Sequence, residues 1–194
     1  PKQVEFVQLD LSSLRDTKKF TTDFISKNAK LDLLVNTAGI FSPNRIVTSE
    51  GFEKTFAVGY LSAYLLSTQL AGILEKAEYG RIANVAGIKS MIMKKKLDFD
   101  DLSFSKNYSM INTAATTIHA KTVLTEILAE KYANQGIDVN SFHPGAVKSD
   151  LAKKLEGWKR MLFSIPLLFM GKESTNGIFV SSSPTLNKVT GKYF

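Results

Sequence analysis

The sequence predicts an α/β domain in which a parallel sheet is connected by crossover helices. Short β-type runs alternate with long stretches of helical periodicity, and no internal repeat is visible. The 194 residues are 44% hydrophobic with 12 Gly and 5 Pro, a composition that suits one compact domain over residues 1–194 and excludes a disordered or collagen-like chain. Residues 4–9, Val-Glu-Phe-Val-Gln-Leu, read as the first strand. Ser13, with Asp16 three residues on, starts a helix that carries Leu14, Phe20, Phe24 and Ile25 at helical spacing. The next strand is expected at 31–35, and Asn36-Thr37-Ala38-Gly39 turns the chain at its end. A connection through Pro43 leads to a long helix from near Ser49 or Gly51 to about Ala77, followed by a third strand at 81–85. An irregular stretch then precedes a helix at about 112–133 and a strand at 137–142, which His143-Pro144-Gly145 closes. The remainder reads as two or three helices and a short final strand at 191–194.

Composition narrows the function classes. Twenty-five Lys+Arg against eighteen Asp+Glu leave a formal charge of +7, yet the basic residues are scattered apart from Lys94-Lys95-Lys96, so no nucleic-acid partner is expected. With no Cys and only His119 and His143, the chain lacks the residues for a disulfide framework, a thiol nucleophile or a thiolate metal site, and no metal is expected. A reducing, cytoplasmic setting fits that usage, and no signal peptide is read at the start of the chain. The uncharged stretch 55–74 has nearly membrane-spanning length, but Gly59, Ser62, Ser67, Thr68, Gln69 and Gly72 make it too polar, and a buried helix is the better reading. The apolar run 161–170, interrupted by Pro166, reads as core, as a lid over a ligand or as an interfacial patch. Lys94-Lys95-Lys96 beside Met91-Ile92-Met93 reads as a solvated loop, with peripheral contact to an anionic membrane as the alternative. Asn107-Tyr108-Ser109 matches a glycosylation sequon that means little without a secretory signal.

Four segments together resemble the short-chain dehydrogenase/reductase family. Leu31-Asp-Leu-Leu-Val-Asn-Thr-Ala-Gly39 resembles its LDxLVNNAG strand and turn, and Gly80-Arg-Ile-Ala-Asn-Val85 the strand leading to its catalytic Ser. The run from Gly136 through His143-Pro144-Gly145 to Ser149 is similar to the segment that receives the nicotinamide. Asp98-Phe99-Asp100-Asp101-Leu102 with Tyr108-Ser109 resembles the retinol dehydrogenase branch. The resemblance implies a Rossmann-type, doubly wound parallel sheet in a three-layer α/β/α arrangement, with NAD or NADP at the carboxyl ends of its strands. It implies that Asp10, Leu11, Asn36, Ala38, Gly39, Pro144, Gly145, Val147 and Ser149 line the cofactor, with Asp10 accepting from the adenine amino group. The preference between NAD and NADP is not legible.

The chain departs from that pattern in two ways. The family's TGxxxGxG phosphate loop, with two strands, has no counterpart in these residues. The strand at 4–9 would then stand about three spacings of ~4.8 Å from the one at 31–35, so the sequence is read as a fragment or as a sheet completed by another segment. The catalytic Asn, Ser, Tyr and Lys are also replaced. Counted without gaps, Gly59 takes the Asn position, Gly87 the Ser position, Ala114 the Tyr position and Ile118 the Lys position. A rival register, slid by three residues, offers Thr117 for Tyr and keeps Lys121, but a threonine hydroxyl is too weak an acid to replace a tyrosine. The ungapped register is preferred because two anchors agree on it, His143-Pro144-Gly145 and Tyr108-Ser109. In the rival register His119 is a displaced general acid.

Three functional readings follow: a catalytically degenerate family member, an active NAD(P)-dependent oxidoreductase of a hydrophobic alcohol or carbonyl that uses His119 or Lys121, and a non-enzymatic interaction module. The expected partners are a hydrophobic small molecule and, by family analogy, a second copy of the chain through the helices at 55–74 and 112–133.

Overall fold

The computed structural model describes residues 4–87, 97–106, 108–145 and 173–194. Helix α1 (Leu14–Lys27) begins where expected, because Ser13 Oγ accepts from Asp16 N at 3.1 Å. Its first turn is also capped from a distance, the Glu50 carboxylate accepting from Leu14 N and Arg15 N at 2.8 and 2.9 Å.

Strands β1 (Leu33–Asn36), β2 (Gly80–Val85) and β3 (Ile137–Phe142) form a sheet in that order, parallel throughout. Parallel neighbours need crossover connections, and helices supply them. Between β1 and β2 the chain runs through α2 (Lys54–Phe56), a π-helical turn (Ala57–Leu61), α3 (Ser62–Gln69) and α4 (Ala71–Leu74). Between β2 and β3 it runs through α5 (Met110–Lys131), and α6 (Thr175–Ser182) follows β3.

Alternation along β2 divides the core into two layers. Ile82 packs with Leu74, Leu124, Leu128 and Val139 under α4 and α5, whereas Ala83 packs with Phe142, Val180 and Leu186 under α6. Helices therefore cover both faces, and β2 and β3 are buried almost throughout, as parallel strands between helical layers are. Gly136, at φ +69°, makes the left-handed turn from the end of α5 into β3.

Three expectations need correction. The predicted strand at 4–9 does not form: the segment has no regular secondary structure and is solvated, with Val4 99% and Phe6 87% exposed. A strand is stabilised by a hydrogen-bonded neighbour, and none stands beside these residues among those described. The long helix starts at Lys54 rather than near 49–51 and ends at Leu74, because the antiparallel bridge between Val47 and Glu53 holds residues 47–53 outside it. The final strand is reduced to a parallel bridge between Tyr193 and Ser141, supported by Ser141 N donating to Lys192 O at 2.9 Å and His143 N to Phe194 O at 2.8 Å. Residues 94–96, Asn107 and 161–170 lie outside the described residues. No helix among the described residues is long and apolar enough to cross a membrane.

Candidate functional site

A cavity of about 220 Å³ opens at the carboxyl ends of the strands. The turn after β1 contributes Thr37, Ala38 and Gly39, the end of β2 contributes Val85 and Ala86, and Pro144 follows β3. The helical side is formed by Thr55 and Gly59 and by one face of α5, carrying Ala114, Thr117, Ile118 and Lys121. Their spacing of three, four and seven residues puts all four α5 side chains on one stripe.

At Gly59 the two helical walls meet. A Cβ there would stand 2.6 Å from Thr117 Cγ2, so the threonine methyl fills the space of a side chain at position 59. Gly59 lies in the π-helical turn, a local widening often found at functional sites. Thr117 Oγ1 turns back to donate to Thr113 O at 2.8 Å, leaving its methyl toward Gly59.

Lys121 is 4% exposed. Its Nζ donates to Ala38 O at 3.4 Å, and no carboxylate lies within ion-pairing distance of it among the described residues. Burial disfavours the ammonium and lowers its pKa to about 8.

Beneath the cavity a buried polar chain ties four elements together. Asn36 Nδ2 donates to Ser67 Oγ at 3.1 Å and to Asn84 Oδ1 at 2.8 Å, Asn84 Nδ2 donates to Thr125 Oγ1 at 3.0 Å, and Thr125 Oγ1 donates to Lys121 O at 3.1 Å.

A second, more open cavity of about 690 Å³ adjoins the first and shares Thr37, Val85 and Pro144 with it. Its far wall is the start of α6, where Ser174 Oγ caps the helix by accepting from Gly177 N at 3.0 Å. Gly145, at φ +76°, lines this cavity and donates its N–H to His143 Nδ1 at 2.9 Å.

Both registers of the expected catalytic motif come together here. Gly59, Ala114 and Ile118 line the cavity, and so do Thr117 and Lys121. Gly87 lies just beyond the wall, its carbonyl accepting from Tyr193 Oη at 2.5 Å, while its neighbour Ala86 faces the cavity. His119 is half-buried and is not among the lining residues, which leaves a displaced general acid there without support.

Of the expected cofactor residues, Ala38, Gly39, Pro144 and Gly145 sit on the two cavities. Asn36 spends its side chain on the polar chain below. Asp10 accepts from its own Ser12, at 2.9 Å from N and 2.7 Å from Oγ, and these hydrogen bonds lower its pKa. Asp10 and half-buried Leu11 line neither cavity, and Val147 and Ser149 lie outside the described residues.

Sequence reasoning missed Glu53, which is fully buried. Its Oε2 caps α2 by accepting from Phe56 N at 2.8 Å, and its Oε1 has no hydrogen-bond partner among the described residues. Only the tertiary structure shows it, because a glutamate before a helix reads as a surface residue.

The residues present fit one end of the dinucleotide that the resemblance implies. A Cβ built at Gly39 meets nothing within 4 Å, so the backbone there is open to close approach, and the joined cavities lie where a doubly wound sheet binds its ligand. At the pyrophosphate end no glycine-rich loop stands among the described residues.

Comparison with known proteins agrees with this architecture. A family model described as enoyl-(acyl carrier protein) reductase matches residues 1–167. Human retinol dehydrogenase 14 is 30% identical over 193 residues, covering 96% of this chain and 57% of its own length. The chain thus spans somewhat under three fifths of that relative. Among solved structures, an uncharacterized protein from Mycobacterium paratuberculosis superposes with a TM-score of 0.71 at 21% identity, covering 98% of this chain and 62% of the other. The Pseudomonas aeruginosa RhlG/NADP complex superposes with a TM-score of 0.64 at 16% identity, covering 97% and 73%. At such identities the structures establish the fold, a Rossmann-type α/β sheet. The chain belongs to the short-chain dehydrogenase/reductase family, in its retinol-dehydrogenase-like branch.

Proposed function

We propose that this chain is a catalytically degenerate member of its family, which offers an apolar cleft to a hydrophobic alcohol or carbonyl compound without interconverting the two. The observation that carries this reading is the cavity wall itself. Gly59, Ala114 and Ile118 occupy three of the four positions that match the family's catalytic residues, and none can exchange a proton. Reducing a carbonyl creates an alkoxide that must be protonated, and one positioned acid contributes roughly 10²–10⁴-fold to such a step. Ala38, Gly39, Pro144 and Gly145 are the residues that would hold the nicotinamide end of NAD or NADP. When bound, the cofactor supplies the hydride donor or acceptor. The chain's own contribution is then an apolar wall and exclusion of water.

One observation favours a second reading, an active oxidoreductase: Lys121 reaches the same cavity as a buried amine. The two readings separate in one experiment. The protein is mixed with NADPH or NADH and a panel of apolar aldehydes and ketones, nicotinamide absorbance is followed, and binding of benzyl alcohol is measured by calorimetry. Saturable binding with no carbonyl-dependent loss of the reduced cofactor is the expected result. Carbonyl-dependent oxidation that disappears in Lys121→Met would overturn degeneracy in favour of the active reading.

A further inference from the structure

We propose that Lys121 is a covalent capture site for small apolar aldehydes, its Nζ forming a reversible imine inside the cleft. The proposal rests on the reading of the cleft as an apolar ligand site and goes beyond it by assigning a reaction to a residue that this reading leaves idle.

The geometry has three parts. The side chain is 4% exposed and lines the 220 Å³ cavity, so its amine and a ligand share one enclosed space. The amine has no carboxylate partner among the described residues, and its one hydrogen bond, to Ala38 O, is long at 3.4 Å, so little holds its lone pair away from a ligand. The surrounding wall of Ala86, Ala114, Ile118 and Pro144 suits an aldehyde with an apolar body and disfavours a charged one. A lysine desolvated in this way is about one-tenth uncharged at pH 7, on the order of a hundredfold more than an ordinary lysine, and the uncharged amine is the form that makes a Schiff base.

The step balances without an oxidant or a reductant. The Nζ lone pair forms a bond to the carbonyl carbon, the carbonyl π electrons move to oxygen, and an amine proton passes to that oxygen to give a carbinolamine. Loss of the hydroxyl with the second nitrogen proton, as water, leaves the C=N bond. Water entering the cleft reverses the sequence and releases the aldehyde.

Benzaldehyde with sodium cyanoborohydride tests the proposal, because reduction fixes the imine as a benzylamine. Intact-mass measurement and peptide mapping of the wild-type protein at pH 7.5 should find one benzyl group, on Lys121, formed about tenfold or more faster than on any other lysine. Lys121→Met should remove that adduct and leave the slow background, and Lys121→Arg repeats the control with the charge retained. Label spread over other lysines with Lys121 unmodified in the wild-type map overturns the proposal, whether or not the variants fold. Benzyl alcohol, which has the same apolar body and no carbonyl, separates the two readings. If it binds and benzaldehyde is not trapped, the cleft stands and the capture site falls; if neither binds, the cleft reading falls as well.

Discussion

The floor of the cleft and its walls are built from the same elements and treat polar groups in opposite ways. In the floor, Asn36, Ser67, Asn84 and Thr125 are buried, and each makes a hydrogen bond to another member. In the walls one turn away, Gly59, Ala86, Ala114 and Ile118 offer a ligand no polar side-chain atom, and Lys121 stands among them without a counter-ion among the described residues. The difference teaches which polar residues the scaffold depends on. The floor residues satisfy one another and lock β1, β2, α3 and α5 together, so removing one strands its partners in a medium with no water. The wall residues face a ligand space and take no part through their side chains in that polar chain, although Gly59 packs closely against Thr117.

Breaking the floor should produce the largest effect. Asn84→Leu leaves Asn36 Nδ2 without its Asn84 acceptor and removes the donor to Thr125 Oγ1, and it should cost about 4 kcal/mol in urea unfolding. A loss under ~1 kcal/mol would mean that the polar chain is incidental to the fold.

Lys121→Met should act in the other direction. The unfolded lysine has its ordinary pKa of 10.5 and the folded one about 8, so protonation favours the unfolded chain and the penalty is fully present below pH 8. The variant should therefore be about 3 kcal/mol more stable than wild type at pH 7, and the gap should close as pH rises from 8 toward 10.5. Burial raises the pKa values of half-buried Tyr60 and buried Tyr132, which makes stability fall above pH 10 in both proteins, so the difference between them is the quantity to measure. A gap that does not change with pH would place the lysine in water.

The contact between the two helical walls sets the smallest of the three effects. Gly59→Ala should cost about 2 kcal/mol, since its Cβ would stand 2.6 Å from Thr117 Cγ2, and Thr117→Ser in the same chain should recover at least half of that. Additive effects in the double-mutant cycle would show that the Thr117 methyl is not what excludes a side chain at position 59.

Much of this was legible before any coordinates. Ser13 with Asp16 marked the start of α1, and the helix at 110–131 and the strand at 137–142 fall within two residues of their expected bounds, because capping chemistry and periodicity are local properties of the chain. Gly59, Ala114, Ile118 and Lys121, drawn from the two motif registers, line one cavity. The choice between registers lost its force there, because residues 114, 117, 118 and 121 share one helix face, and spacing cannot say which of them reaches a ligand. The strand expected at 4–9 failed for the complementary reason: alternation describes a face to be buried, whereas a strand exists only with a neighbour to pair with.

By itself the sequence determined the fold class and the order of the helices and strands from α1 through β3, which reside in local pattern and residue identity. The tertiary structure alone decided that Asn36 turns to the core, that His119 stays off the cavity, that Thr117 fills the space beside Gly59 and that Lys121 loses its water. Those outcomes depend on which distant segments pack against each residue, and burial, unlike periodicity, is not a property of a residue's neighbours in the chain.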